Sequence, residues 1–353
     1  MGGAMSACAF PSLPTRARRS WTAWAVGLAV ALAALVLVAP ALRWLFWDAT
    51  WVGQSRAACG PAGACWAMIT ARAPQILLGF YPAGHGWRVG LAVAMLAVGL
   101  APLAWRRRAG LTMLTAPVGA LACLALMGGA GILPSVPSAY WGGLALNLIV
   151  GAVSAIFALP IGILLSLARR STLPVIRILA SAYVEAVRAA PLIVVLFAAA
   201  VLVPLLIPPQ WSLDKLTRAI VAITFFEAAY MAEAVRGGLM AVPQGQREAA
   251  RALGLKGWQV LVFVVLPQAL RTATPALVNS FIGLLKDTSL IYVIGVLDIT
   301  GVLRNAVSDY AWQGLEPEAY IFVGLTFWLL CFGLSRWSAA LERRAARAQG
   351  APS

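Results

Sequence analysis

The chain has 353 residues, 61% of them hydrophobic and 11% charged, with a net charge of +15 and a mean hydropathy of +0.86. A soluble chain of this length needs far more charge to cover its surface, so lipid is the expected solvent. Nucleic acid is not an expected partner, because Lys and Arg fall in short clusters between apolar runs instead of in one patch interleaved with stacking aromatics.

Crossing the hydrocarbon takes about 20 mostly apolar residues. Eight segments qualify, near 21–42, 88–104, 110–133, 143–167, 190–207, 217–239, 272–297 and 319–338. The first follows Arg16, Arg18 and Arg19 and lacks a clear small-residue cleavage site, so an anchor helix is expected, not a cleaved signal peptide. The loop after it holds Cys59 and Cys65, which form either a local disulfide or two free thiols. His85, in Pro82-Ala-Gly-His-Gly86, reads as a loop residue. Cys8, Cys123 and Cys331 are scattered, and the last two read as small hydrophobes. No Cys/His spacing fits a metal site, and no cofactor is expected.

Basic residues set the orientation. With the N-terminus inside, the cytoplasmic loops collect Arg106–Arg108, Arg169, Arg170, Arg177, Arg188, Arg236, Arg247, Arg251, Lys256, Arg271, Arg336, Arg343, Arg344 and Arg347. The outer loops hold fewer, among them Arg43, Arg56, Arg72, Arg88, Lys215, Arg218 and Arg304. A multi-pass protein with both termini cytoplasmic follows. Residues 1–140 read as an extension with three apolar segments and no chemical motif. Residues 141–345 carry five spans and every informative loop. The expected fold class is an all-α integral membrane protein.

Between the fourth and fifth spans, Arg177, Ser181, Glu185 and Arg188 recur at helical spacing, opposite Ile176, Leu179, Tyr183 and Val187. This predicts a helix over 174–188 lying at the membrane interface, capped by Thr172, with Pro174 in its first turn. In the sixth and seventh spans, Glu227, Glu233, Lys286 and Asp287 sit among apolar residues. Charge there pairs or faces a cavity, so Lys286 and Asp287 mark either a polar pathway, with a broken helix, or a network holding helices together. Glu227 poses the same choice, while Glu233, nearer the cytoplasm, is expected to be solvated.

The loop between these spans reads Pro243-Gln-Gly-Gln-Arg-Glu248-Ala-Ala-Arg-Ala-Leu-Gly254-Leu-Lys-Gly-Trp258. It predicts a short helix over 244–253 with Ala249, Ala250 and Leu253 on one side and Gln246, Arg247 and Arg251 on the rest. Gly254 ends it with positive φ, and a second short helix begins near Lys256.

Glu248-Ala249-Ala250, then Gly254, then Val264, Leu266 and Pro267 resemble the EAA signature of ABC importer permeases, with Val264 where Ile is usual. The resemblance implies a type I importer core over 141–345 and a coupling helix, within about 243–267, that docks on an ATPase. Glu248, Ala249, Ala250 and Gly254 would form the docking core, with Arg251, Leu266 and Pro267 in the same motif. Tyr183-Val-Glu185-Ala-Val-Arg188-Ala-Ala-Pro191, Glu227-Ala-Ala-Tyr230-Met-Ala-Glu233-Ala-Val-Arg236-Gly-Gly238 and Leu284-Leu-Lys286-Asp287-Thr-Ser289-Leu290 resemble permeases of the histidine/glutamine/arginine group. The first departs from the usual Arg-Gly-Thr-Pro. The extra N-terminal spans resemble the M-type subunit of general L-amino-acid permeases. The implied partners are an ATPase dimer, a second permease subunit that is a paralogue or identical, a periplasmic amino-acid-binding protein and membrane lipid. The implied site is the bacterial inner membrane. Glu185, Arg188, Glu227, Lys286 and Asp287 become candidates for the translocation pathway.

No Gly-x-x-x-x-Gly-Lys-Ser/Thr stretch occurs, so the chain is not expected to hydrolyse ATP. Two other classes place different demands on the sequence. An ion-coupled secondary amino-acid transporter needs intramembrane carboxylates in a relay, for which Glu227 and Asp287 are the candidates, and no internal repeat supports it. A membrane enzyme needs a nucleophile with a base or a metal cluster, and a single His argues against it.

Overall fold

The computed structural model describes residues 21–104, 109–211 and 213–347. Arg16, Arg18, Arg19, Arg106–Arg108 and Cys8 lie outside them. The chain divides into a unit ending at Ala67 and a larger one beginning at Met68.

The first unit is helix α1 (Trp21–Leu42), which runs into a π-helical turn over Arg43–Trp47, followed by a short loop. The loop folds on itself: Thr50 N donates to Ala64 O, Ala64 N to Trp44 O and Trp66 Nε1 to Leu45 O at 2.7–2.9 Å.

The second unit contains α2 (Ala73–Leu78), α3 (Trp87–Leu100), α4 (Ala109–Gly128), α5 (Gly143–Ala168), α6 (Pro174–Ala189), α7 (Leu192–Leu206), α8 (Lys215–Ala241), α9 (Gln244–Ala252), α10 (Leu266–Asp287), α11 (Ile299–Ser308) and α12 (Glu316–Arg347). Among the described residues six helices are long and apolar enough to cross a membrane, or seven with α6 and α7 taken as one bent span. Helix α8 adds a 27-residue rod whose Lys215, Arg218, Glu227, Glu233 and Arg236 make it more polar. Each of the eight expected spans therefore has its helix, though the boundaries move.

The span expected to reach residue 133 stops at Gly128, where Gly129, Ala130 and Gly131 all take positive φ and turn the chain. The span expected over 272–297 is continuous from Gly257 to Ile294. It starts as a turn at Gly257–Gln259, widens to a π-helix over Val260–Val265 and tightens to a 3₁₀ helix over Thr288–Ile294. Pro267 accounts for the π segment: it cannot donate to Phe263 and its ring crowds that carbonyl, and widening the preceding turn relieves both. Pro204 follows a π segment at Ala198–Leu202 in the same way.

The chain bends by 104° between α6 and α7. Ala190 is extended because Pro191 follows it. Thr172 is not the cap of α6. Leu173 holds that position without a side-chain bond, and Ser171 Oγ accepts from the Leu173 N–H at 3.2 Å. The inward face also differs from expectation. Ala180 and Val184 are buried, with Tyr183 and Val187 half-buried, whereas Ile176 and Leu179 are exposed. Small Ala180 permits the close approach that the bulkier pair would block.

Helix α8 is the centre of the unit, packed on α5 and α10. Gly238 sits where a Cβ would fall 2.2 Å from the Ala269 carbonyl oxygen of α10, so only glycine fits that crossing. The main core joins Val89, Leu96, Cys123 and Met127 of α3 and α4 to Leu146, Ile149 and Ile223 of α5 and α8. A polar knot is sealed inside it. Asn147, Thr288 and Asp298 are fully buried, and Asn147 Nδ2 donates to Thr288 Oγ1 at 3.1 Å and to Asp298 Oδ2 at 3.2 Å.

Candidate functional site

The 243–258 loop folds as anticipated at its ends. Pro243 precedes α9, and Gly254 takes φ +81° after it. Gly254 N donates to Arg251 O at 2.9 Å and Leu255 N to Ala250 O at 3.2 Å. These paired bonds satisfy the last carbonyls of α9, and Leu255 packs in the same apolar cluster as Ala250. The second short helix is Gly257–Gln259, with Gln259 Oε1 accepting from the Lys256 N–H at 2.8 Å.

The faces of α9 are assigned differently from the sequence reading. Ala250 alone points inward, 5% exposed, into a cluster with Ile163, Val235, Leu239, Val242, Val260, Val265 and Ala269. Ala249 is exposed, and so is Leu253 at 83%. Neighbouring helical residues lie about 100° apart, so one anchor cannot bury both alanines. Arg247 is half-buried instead of lying on the free surface, and its guanidinium donates to Leu239 O at 2.9 Å, tying α9 to the end of α8. The outward surface is therefore Glu248, Ala249, Arg251, Ala252, Leu253 and Gly254, a small apolar patch with flanking charge. Leu266 is half-buried against the inner cluster, and Pro267 is exposed.

The five candidate pathway residues do not form one group. Glu185 and Arg188 belong to an ion cluster around Glu233. Arg169 reaches Glu233 at 2.9 Å and Glu185 at 3.3 Å, Arg188 lies 3.7 Å from Glu233, and Arg236 pairs with Glu233 one turn on. Arg188 also stands 5.6 Å from the Tyr230 ring centre. Glu233 is thus not a freely solvated acid: it is the hub that joins the end of α5 to α6 and α8. Its Glu233–Arg236 spacing was readable in sequence, but Arg169 read only as a loop charge.

Glu227, Lys286 and Asp287 lie apart from that cluster. Glu227 is 4% exposed, and its Oε1 has no hydrogen-bond partner. Lys286 is exposed and Asp287 half-buried, at the point where α10 gives way to 3₁₀ helix. No ion pair within 4 Å involves any of the three among the described residues. The helix changes type there without breaking. In the first unit, the Cys59 and Cys65 sulfurs meet, with their Cα atoms 5.6 Å apart. The knot of Asn147, Thr288 and Asp298 escaped the sequence reading, since no local spacing links residues so far apart.

Residues 158–347 match the family described as binding-protein-dependent transport system inner membrane component. The chain is 45% identical over 312 residues to the inner membrane amino-acid ABC transporter permease protein YhdY of Escherichia coli K12, covering 87% of this chain and 85% of that one. It is 37% identical to the glutamate/glutamine/aspartate/asparagine transport system permease protein BztC of Rhodobacter capsulatus, covering 90% and 89%. Among solved structures, an amino acid ABC transporter with histidines superposes with a TM-score of 0.51 at 30% identity, over 57% of this chain and 92% of that one. The relatives span both the matched core and most of the residues before it. The chain belongs to the family of inner membrane components of binding-protein-dependent transport systems.

Proposed function

We propose that this chain takes up amino acids across the inner membrane as a permease subunit driven by a separate ATPase that docks on α9. The outward surface of α9 carries the reading. Ala249, Leu253 and Gly254 present little bulk, Glu248 and Arg251 flank them with charge, and Ala250 anchors the helix from behind. Small side chains allow close approach, and an exposed apolar residue in such a patch fits a partner's groove. Arg247 and the Ala250 cluster give movement of α9 a direct mechanical route into α8 and α10.

The amino-acid cargo is supported by the names of the relatives. The remaining partners are a binding protein outside and a second permease subunit, a paralogue or a second copy. Residues 1–140 act as an extension of the core at 141–345, and both termini lie in the cytoplasm. ATP closure of the ATPase pair would pull on α9 and change the side the pathway faces. Ion coupling lacks a relay among the described residues, where neither Glu227 nor Asp287 forms an ion pair within 4 Å.

The test separates the two alanines. Ala249→Arg and Leu253→Asp, both on the outward face, should leave membrane abundance unchanged and abolish ATPase co-purification and binding-protein-dependent uptake. Ala250→Arg should instead lower abundance, because it forces charge into a packed cluster. Full ATPase retention and uptake in both outward variants would remove α9 as the docking element. Uptake that stops when ion gradients are collapsed at constant ATP would favour the secondary transporter.

A further inference from the structure

Helix α10 has an exposed face unlike that of any lipid-facing helix here. Thr272, Ala276, Asn279 and Lys286 are exposed and Gly283 half-exposed, at spacings of 4, 3, 4 and 3. No large hydrophobic side chain of α10 is exposed. On α12, by contrast, Leu325, Trp328, Leu329 and Phe332 are exposed, as hydrocarbon contact requires. A helix that withholds every large apolar group from its open side and offers an amide and an ammonium there is not solvated by acyl chains.

Lys286 lies within the continuous helical stretch Gly257–Ile294. Beside it, Gly283 leaves an open notch: a Cβ built there would meet no atom within 4 Å. Acidic groups stand close by. Asp287, half-buried, follows Lys286, and on the adjoining α8 the buried Glu227 keeps an Oε1 with no hydrogen-bond partner. A cation and acids around a notch match the two opposite charges that every amino acid carries at its α-carbon.

We propose that the Asn279–Gly283–Lys286 face of α10 is a wetted wall of the translocation pathway, and that Lys286 receives the substrate's α-carboxylate there. This deepens the permease reading and rests on it. Asn279 supplies an amide donor one turn before the notch, and the half-buried Asp287 beside Lys286 is left for the substrate's ammonium. The recognised ligand class is the α-amino-acid zwitterion, independent of its side chain.

The experiment uses the transporter assembled with its ATPase and binding protein in proteoliposomes, with Cys8, Cys123 and Cys331 replaced by alanine and the Cys59–Cys65 pair kept. Asn279→Cys, Gly283→Cys and, as a lipid-facing control, Leu329→Cys are treated with two membrane-impermeant thiosulfonates, one anionic and one cationic. Both α10 cysteines should react at least about 100-fold faster than Leu329→Cys, and a transported amino acid should slow them. At Gly283→Cys the anionic reagent should be favoured about tenfold, relative to its reaction with a free thiol, because a fixed cation concentrates anions. Adding Lys286→Gln should erase that preference, and Lys286→Arg should keep it. Lys286→Gln alone should raise the KM for uptake about tenfold or more while kcat changes less. Reaction rates equal to the Leu329→Cys control would mean a dry or lipid-covered face and overturn the proposal. A charge preference that survives Lys286→Gln would overturn the role of Lys286. Loss of ATPase co-purification from the unsubstituted protein would instead strike the permease reading, and is scored separately in the same preparations.

Discussion

Asn147 spends its whole side chain inside the membrane unit. Its amide nitrogen donates to Thr288 and Asp298, and its oxygen accepts from the Ile299 N–H at 3.0 Å. Asp298 Oδ1 in turn accepts from the Gly301 N–H at 2.8 Å and starts α11. Thr288 Oγ1 also donates to Leu285 O at 2.7 Å, so the Ile299 N–H is the group that depends on Asn147 alone. Asn147→Ala should leave the Ile299 N–H unpaired, at about 1–3 kcal/mol, and take one bond each from Thr288 and Asp298, which keep their bonds to Leu285 O and the Gly301 N–H. Thermal unfolding of the purified protein should show the loss. Asn147→Asp should not rescue it, since it places a second carboxylate beside Asp298. An unchanged melting temperature for Asn147→Ala would mean that the knot carries no weight. Nothing local in the sequence announces this knot, because its members are 141 and 151 residues apart. Charges in apolar runs stood out, whereas a neutral Asn in an apolar helix did not.

At the scale of elements, α9 was legible because its signals are local. A proline before it, helical spacing through it and a glycine after it fix both ends. Which alanine turns inward was not legible, since that depends on Ile163, Leu239 and Ala269 arriving from other helices. The same holds for α6, whose inward face is chosen by the small residue that lets α8 approach. The end of α9 gives a sharp prediction. Gly254 takes φ +81°, where a side chain costs about 1–2 kcal/mol, more for a β-branched one and less for Asn. No atom lies within 4 Å of a Cβ at this position, so the strain is backbone strain alone. Gly254→Asn should therefore keep most binding-protein-dependent uptake, and Gly254→Val should lose most of it at similar membrane abundance. If both variants transport equally, the geometry of this turn does not matter to coupling.

At the scale of the whole molecule, hydropathy and charge gave the order of the apolar helices, since each span must satisfy its own backbone, while six or seven of the eight expected segments are long and apolar enough to cross among the described residues. They did not give the extent of the core. Val89, Leu96, Cys123 and Met127 share one apolar cluster with Leu146 and Ile223, so packing crosses residue 140 even though every chemical motif lies beyond it. The remaining question is which way the molecule faces, and the first unit offers a chemical reporter. If both termini are cytoplasmic, the loop after α1 meets an oxidising compartment, and Cys59 and Cys65 stay joined. Backbone bonds around Thr50 and Ala64 already hold this short loop, so the cross-link is expected to add only about 2 kcal/mol. Its value is as an address label. In intact cells, the Cys59–Cys65 thiols should resist alkylation until a reductant is added, then react with an impermeant maleimide from outside. A cysteine at Gln244 or Gly245, on the exposed start of α9, should react only after the inner membrane is opened. Labelling at 244 or 245 from the periplasmic side would invert the orientation and separate α9 from any cytoplasmic ATPase. Two thiols freely alkylated without reductant, with the α9 cysteines still protected, would keep the orientation and discard the bond.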